Sequence, residues 1–188
     1  MLAKILPTGG PARWFPCWMI LLALTGCWQK IDTPNSQIKV LEAIEAAGGK
    51  FTNDSKKLEL IGAQVDDDLA VKIMSLTDLR ELKLNAPRVS PMTLGKIGTK
   101  HGLESIDLRA CQVDDEALAT LVGEKHSKEK KEYLVVFRAN SPKITDAGLD
   151  HFAKLKKIRV LGLDEASVGN KALEVAGKLT TLEELLLA

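Results

Sequence analysis

Apolar residues recur along most of this chain with two superposed periods. Pairs of apolar residues two positions apart stand at Leu58 and Leu60, Leu82 and Leu84, Ile106 and Leu108, Val135 and Phe137, Leu161 and Leu163, and Leu185 and Leu187. The steps between the second members of successive pairs are 24, 24, 29, 26 and 24 residues. Leu79, Leu103, Ile158 and Leu182 stand three positions ahead of four of these pairs. Five positions after a pair a branched residue returns as Val65, Val89, Val113 and Val168, and Ile144 does so after two extra residues. A helical apolar spacing follows, as in Leu69 and Ile73 or Leu149 and Phe152. The spacing of two predicts short strands with one buried face, and the later spacing predicts short helices whose apolar side returns to the back of the strand. A unit this small cannot bury its apolar side alone, so neighbouring units must share one core.

Residues 37–57 fit the start of such a stack. Residues 37–47 favour a helix, with Ile38, Leu41, Ala43 or Ile44 and Ala47 on or near one face, and Gly48 and Gly49 stop it. Lys50, Phe51 and Thr52 then add a strand, so 37–57 reads as an N-terminal cap and 58–188 as the repeats. At the other end Leu185, Leu186 and Leu187 stand within a unit, with neither return helix nor cap after them. That end reads as truncated, or as an open apolar end through which two copies associate.

The motifs Leu79-x-x-Leu82-x-Leu84, Leu103-x-x-Ile106-x-Leu108, Ile158-x-x-Leu161-x-Leu163 and Leu182-x-x-Leu185-x-Leu187 give this segment its identity. It resembles the leucine-rich repeat family. The resemblance implies an α/β solenoid, with a curved sheet of about six parallel strands on its concave side and short helices on its convex side. The family's Asn or Cys position, three residues after the last Leu, falls on Cys111 and Asn140, but on Pro87 and Ala166 elsewhere, so a continuous polar ladder is not expected.

The first 26 residues follow a different pattern. They carry Lys4 and Arg13 and no acid, then an uncharged run of 11 residues from Trp14 to Leu24, then Thr25, Gly26 and Cys27. A bilayer-spanning helix needs roughly 20 apolar residues, so this order of basic, apolar and small residues reads as a signal peptide over 1–26. Leu24-Thr25-Gly26-Cys27 resembles the lipobox of bacterial lipoproteins. The resemblance implies cleavage after Gly26 and a lipid on the Cys27 thiol, and the polar residues that follow make 27–36 read as a tether. Loss of Lys4 and Arg13 takes the formal charge from +1 to −1, so attachment rests on acyl chains and not on a basic patch. The same near-neutral balance gives no field for a nucleic-acid partner.

Little else points to chemistry. The steps Asp66, Asp67, Asp68 and Asp114, Asp115, Glu116 could offer oxygens to a cation, but they open predicted helices, where carboxylates cap amides and favour the dipole. Asp146 after Thr145 and the pair Ser90 and Pro91 fit the same boundary role. Cys111 reads as buried beside the core and not as a nucleophile. His101, His126 and His151 fall at unrelated points of the repeat and build neither a triad nor a metal site. The mixed-charge run 125–132 sits in the unit with the longest step and reads as a solvated insertion. No cofactor motif or catalytic residue is found.

The outward side chains of the strands remain as a surface. If Leu82 and Leu84 point inward, Glu81, Lys83 and Asn85 point out. By register Ser105, Asp107 and Arg109 do so too, followed by Leu134, Val136 and Arg138, then Val160, Gly162 and Asp164, then Glu184 and Leu186. Leu134, Val136, Val160 and Leu186 form an apolar strip, and such a strip argues for a protein partner. The resulting expectation is a lipid-anchored, non-catalytic protein-binding module at a bacterial cell envelope. Its alternatives are a spacer or shortened paralogue without ligand, and a soluble repeat adaptor.

Overall fold

The structure, a computed structural model, describes residues 34–52, 56–62, 64–100, 102–122 and 133–187. The chain divides into two units, 1–32 and 33–188. The first lies outside the described residues, and with it the signal segment and Cys27. His101, His126 and the run 125–132 also lie outside them.

Among the described residues, the second unit opens with α1 (Pro34–Ala46) and β1 (Lys50–Thr52). Strand and helix then alternate as β2 (Lys57–Ile61), α2 (Asp67–Ile73), β3 (Glu81–Asn85), α3 (Pro91–Gly98), β4 (Ser105–Leu108) and α4 (Asp115–Val122). They continue as β5 (Val136–Asn140), α5 (Asp146–Phe152), β6 (Val160–Asp164), α6 (Lys171–Lys178) and β7 (Glu184–Leu186). The strands form one α/β sheet in chain order, with β1 antiparallel to β2 and every later pair of neighbours parallel. Parallel neighbours in chain order require a return crossing after each strand, and the helices supply it, each packing on the next from α1 to α6.

Helix α1 starts three residues earlier than its apolar spacing predicts, so residues 34–36 belong to it and not to a tether. Pro34 at the first position loses no intrahelical hydrogen bond. Its stop is as expected: Gly48 takes φ +86°, and the Gly49 N–H donates to Ile44 O at 2.8 Å.

Strand register corrects the reading of the fourth repeat. Leu58, Leu82, Ile106, Phe137, Leu161 and Leu185 stand side by side across the sheet, a step of 24 residues everywhere except 31 between Ile106 and Phe137. The inward pair of β5 is therefore Phe137 and Ala139, not Val135 and Phe137. Leu134 takes the place held by Leu79, Leu103 and Ile158 and is fully buried, so it does not belong to the outward strip. Ile144 then follows Ala139 by the same five residues that separate Val89 from Leu84, and no insertion is needed there. The cause is a trade of volume. Ala139 stands where Leu84, Leu108 and Leu163 stand, while Phe137 meets Phe152 with ring centroids 5.0 Å apart and tilted by 49°. Two rings supply the bulk that one methyl group lacks.

One continuous core runs between sheet and helices, from Ile44 and Leu58 to Val175 and Leu179. Burying each Leu, Ile or Phe in it stabilises the fold by about 1.5–3 kcal/mol. The recurring Val65, Val89, Val113 and Ile144 are all buried in it.

The helix starts are built as expected in part. Asp66 accepts from the Leu69 N–H at 2.9 Å, Asp114 from the Ala117 N–H at 2.8 Å, Ser90 from the Thr93 N–H at 3.4 Å and Thr145 from the Ala147 N–H at 3.3 Å. The next carboxylate along has a further role, tying one unit to the following one. Asp67 accepts from the Ser90 N–H at 2.8 Å and hydroxyl at 3.1 Å, Asp115 from the Thr145 N–H at 2.8 Å and hydroxyl at 2.6 Å, and Asp146 from the Gly169 N–H at 3.0 Å. In α3 this position is Pro91, which has no carboxylate, and the facing cap is Asp114.

Candidate binding face

The face of the sheet turned away from the helices carries three rows of side chains. Cross-strand pairing aligns Lys57, Glu81, Ser105, Val136, Val160 and Glu184 in the first row, and Glu59, Lys83, Asp107, Arg138, Gly162 and Leu186 in the second. Ile61 and Asn85 pair in the third, as do Asn140 and Asp164 further along, while Arg109 follows β4. Strand alternation leaves these side chains half-buried or exposed while their neighbours in sequence enter the core. Glu81, Lys83, Asn85, Asp107, Arg109, Val136, Arg138, Val160, Asp164 and Leu186 all lie on this face, as the alternation predicts.

The charges over β2, β3 and β4 neutralise one another. Lys57 lies 3.4 Å from Glu81, Lys83 donates to Glu59 at 2.5 Å, and Arg109 grips Asp107 through Nε at 3.0 Å and Nη2 at 2.7 Å. The hydrogen bond and charge of Lys83 hold the Glu59 carboxyl below its usual range. Burial alone would raise Asp107, but the hydrogen bonds and charge of Arg109 outweigh it and leave this carboxyl below its usual range too. Lys57 and Glu59 complete these pairs. Their parity with Leu58 and Leu60 is the sequence signal that places them on this face.

Over β5, β6 and β7 the surface changes character. Val136 and Val160 are cross-strand partners, and Leu186 beside Gly162 is 37% exposed. With Leu134 in the core, the apolar surface is this smaller patch. Gly162 is buried because the Arg138 stem lies across it: a Cβ on Gly162 would stand 3.1 Å from Arg138 Cγ and 3.6 Å from its Cβ. The guanidinium then reaches Glu184 only at 4.0 Å.

The remaining residues considered for chemistry are structural or stand apart. Cys111 is buried; its thiol donates to Leu84 O at 3.2 Å and accepts from the Ala86 N–H at 3.4 Å. Burial pushes it up to about 11, far from a reactive thiolate. Asn140 does not share this inward position. It lies in β5 on the open face, and Ser141 takes the buried polar role, donating to Val113 O at 2.6 Å. The two-residue slip in the fourth repeat moves the position equivalent to Cys111 from Asn140 to Pro142, and Ser141 stands one residue ahead of it. His151 is half-buried in α5. Lys100 stands one 24-residue step from the buried Leu76 and breaks the apolar pattern; burial, then Arg80, lowers its pKa. It lies ahead of β4 and does not join the face. Among the described residues no group of three or more His, Cys, Asp or Glu is placed to hold a metal, and no helix is long and apolar enough to cross a membrane.

No protein-family model and no curated protein matches the chain. Among solved structures it is similar to leiomodin-1 actin-binding site 2, at 13% identity and a TM-score of 0.47, over 63% of this chain and 76% of that one. So loose a likeness carries neither actin binding nor any other partner to this protein.

Proposed function

We propose that this chain is a leucine-rich repeat solenoid that binds another protein through the open face of its sheet, and that a lipid on Cys27 holds it at a bacterial envelope membrane. The observation that carries the binding reading is the aliphatic patch of Val136, Val160 and Leu186 on a sheet face that none of the described helices covers. Apolar side chains kept in register at a water-facing sheet lower the free energy of association when a partner removes them from water. The repeat reading draws support from the step of 24 residues at four of the five parallel strand pairs and from the burial of Leu134 at the motif's first position. Over β2, β3 and β4 the charged side chains of this surface are spent on one another.

That last feature also favours a second reading, a spacer without ligand, because the ion pairs over β2 to β4 leave few free groups there. A photo-crosslinking amino acid placed at Val160, and in a second variant at Leu173 on α6, separates the two. A binding face gives a discrete adduct in the native membrane from position 160 and not from 173. Equal or absent adducts at both sites favour the spacer. Mass spectrometry of the N-terminus tests the anchor, and an unmodified Met1 in the soluble fraction ends that part of the proposal.

A further inference from the structure

Of the carboxylates on the open face, Glu59, Glu81, Asp107 and Glu184 each have a cation within 4.0 Å. Among the described residues Asp164 has none: Arg109 acts on it only at longer range and is itself held by Asp107. Asp164 is half-buried on the strand that carries Val160, with the side-chain-free Gly162 between them. At about 3.3 Å per residue the two lie about 13 Å apart along one line of the face, the reach of about four residues of extended peptide. Arg138 does not close the gap, because its stem lies over Gly162 and its head points to Glu184 on the far side.

We infer that the partner is a protein segment that seats an aliphatic side chain on Val136 and Val160 and places a lysine or arginine against Asp164. This rests on the open face being a binding surface, and adds the chemistry of what it binds. The carboxylate without an ion partner beside the aliphatic patch selects a cation. An acidic segment would meet Asp164 and Glu184 with like charge, and a wholly apolar one would cover Asp164 without compensating it.

The test uses the full chain on an array of short synthetic peptides, each carrying one Leu, Ile or Val and, two to four residues away, Lys, Arg, Asp, Glu or Ala. Basic peptides are expected to bind about threefold more strongly than their Ala counterparts, a preference that weakens with added salt. Asp164→Lys is expected to turn the preference toward Asp and Glu, and Asp164→Asn to abolish it. Leu186→Asp and Val160→Asp are expected to reduce binding of every peptide, the exposed Leu186 serving as the check should the half-buried Val160 variant fail to fold. Peptides that need Leu186 or Val160 but show no basic preference, or keep it in Asp164→Lys, overturn the inference and leave the face as a binding surface. Binding that ignores both aliphatic variants overturns the face itself.

Discussion

Helices α3 and α4 meet across glycine, whereas α4 and α5 meet across a carboxylate, although parallel neighbouring strands lie beneath both junctions. At the first junction a Cβ on Gly98 would stand 2.8 Å from Leu121 Cβ and 2.9 Å from Leu121 Cα, and one on Gly95 would stand 2.9 Å from Thr120 Cβ. Backbone there lies against backbone. At the second, Asp115 receives both the N–H and the hydroxyl of Thr145, and Gly148 leaves the room, since a Cβ on it would stand 3.1 Å from Asp115 Cγ. The first junction lacks the carboxylate tie. Pro91 has no carboxylate to offer, and the cap facing it is Asp114, which would repel one. A repeat protein can thus join equivalent units either by close approach, which depends on volume, or by a directional polar tie, which depends on charge.

The largest effect is expected from cutting the tie. Asp115→Ala removes two short charge-assisted hydrogen bonds and leaves the part-buried Thr145 N–H without its acceptor. A loss of about 2–3 kcal/mol in urea unfolding, with the denaturant slope unchanged, is the expected result. A loss below about 0.5 kcal/mol would mean that water replaces the carboxylate without cost and that the α4 and α5 junction is held by its apolar contacts alone.

Gly98→Ala attacks the other junction. Alanine in a helix is favoured over glycine by about 1 kcal/mol, so on propensity alone this change stabilises. Here the new methyl group meets Cγ, Cβ and Cα of Leu121, the root of that residue and not a flexible side-chain tip, so α3 and α4 must separate. Overpacking of about 1–3 kcal/mol opposes the propensity gain of about 1 kcal/mol, and the net expectation is a loss of up to about 2 kcal/mol. A stabilised variant would show that the two helices can move apart freely, and the contrast between the junctions would fall with it.

These joints were only half legible in the sequence. The repeat itself was plain, because Leu, Ile and Val at fixed spacing are set by burial. The outward parity of Val136, Arg138, Val160 and Asp164 followed from it. Parity also concealed the error in the fourth unit. A slip of two residues keeps every strand side chain on its own face, so Val136 and Arg138 stayed outward while Leu134, just ahead of the strand, moved from the strip into the core. The slip arose where Ala139 replaces leucine and two phenylalanines make up the volume, a compensation that crosses from strand to helix and leaves no periodic trace. The carboxylate ties had a signal, since Asp67, Asp115 and Asp146 each follow a cap residue. Capping explained that position too readily, and their partners Ser90, Thr145 and Gly169 stand 23, 30 and 23 residues away.

Acidity separates the two kinds of junction with the smallest perturbation. The Ser90 N–H is the chief reason that the Asp67 carboxyl sits below its usual range; burial opposes it, and the Thr93 and Ser90 hydroxyls assist. A depressed folded-state pKa means that, between the two values, the unfolded chain binds more protons than the folded one. The tie therefore contributes fully above the ordinary aspartate range, and the contribution is lost as the pH falls through the depressed value. The stability gap between the native chain and Asp67→Asn is expected to be open at neutral pH and to close on acidification. The gap between the native chain and Gly98→Ala is expected to stay constant over the same range, because no titrating group touches that contact. A gap for Asp67→Asn that persists at low pH would show that the amide fails for reasons of shape, since the charge would then have no part in holding α2 to α3.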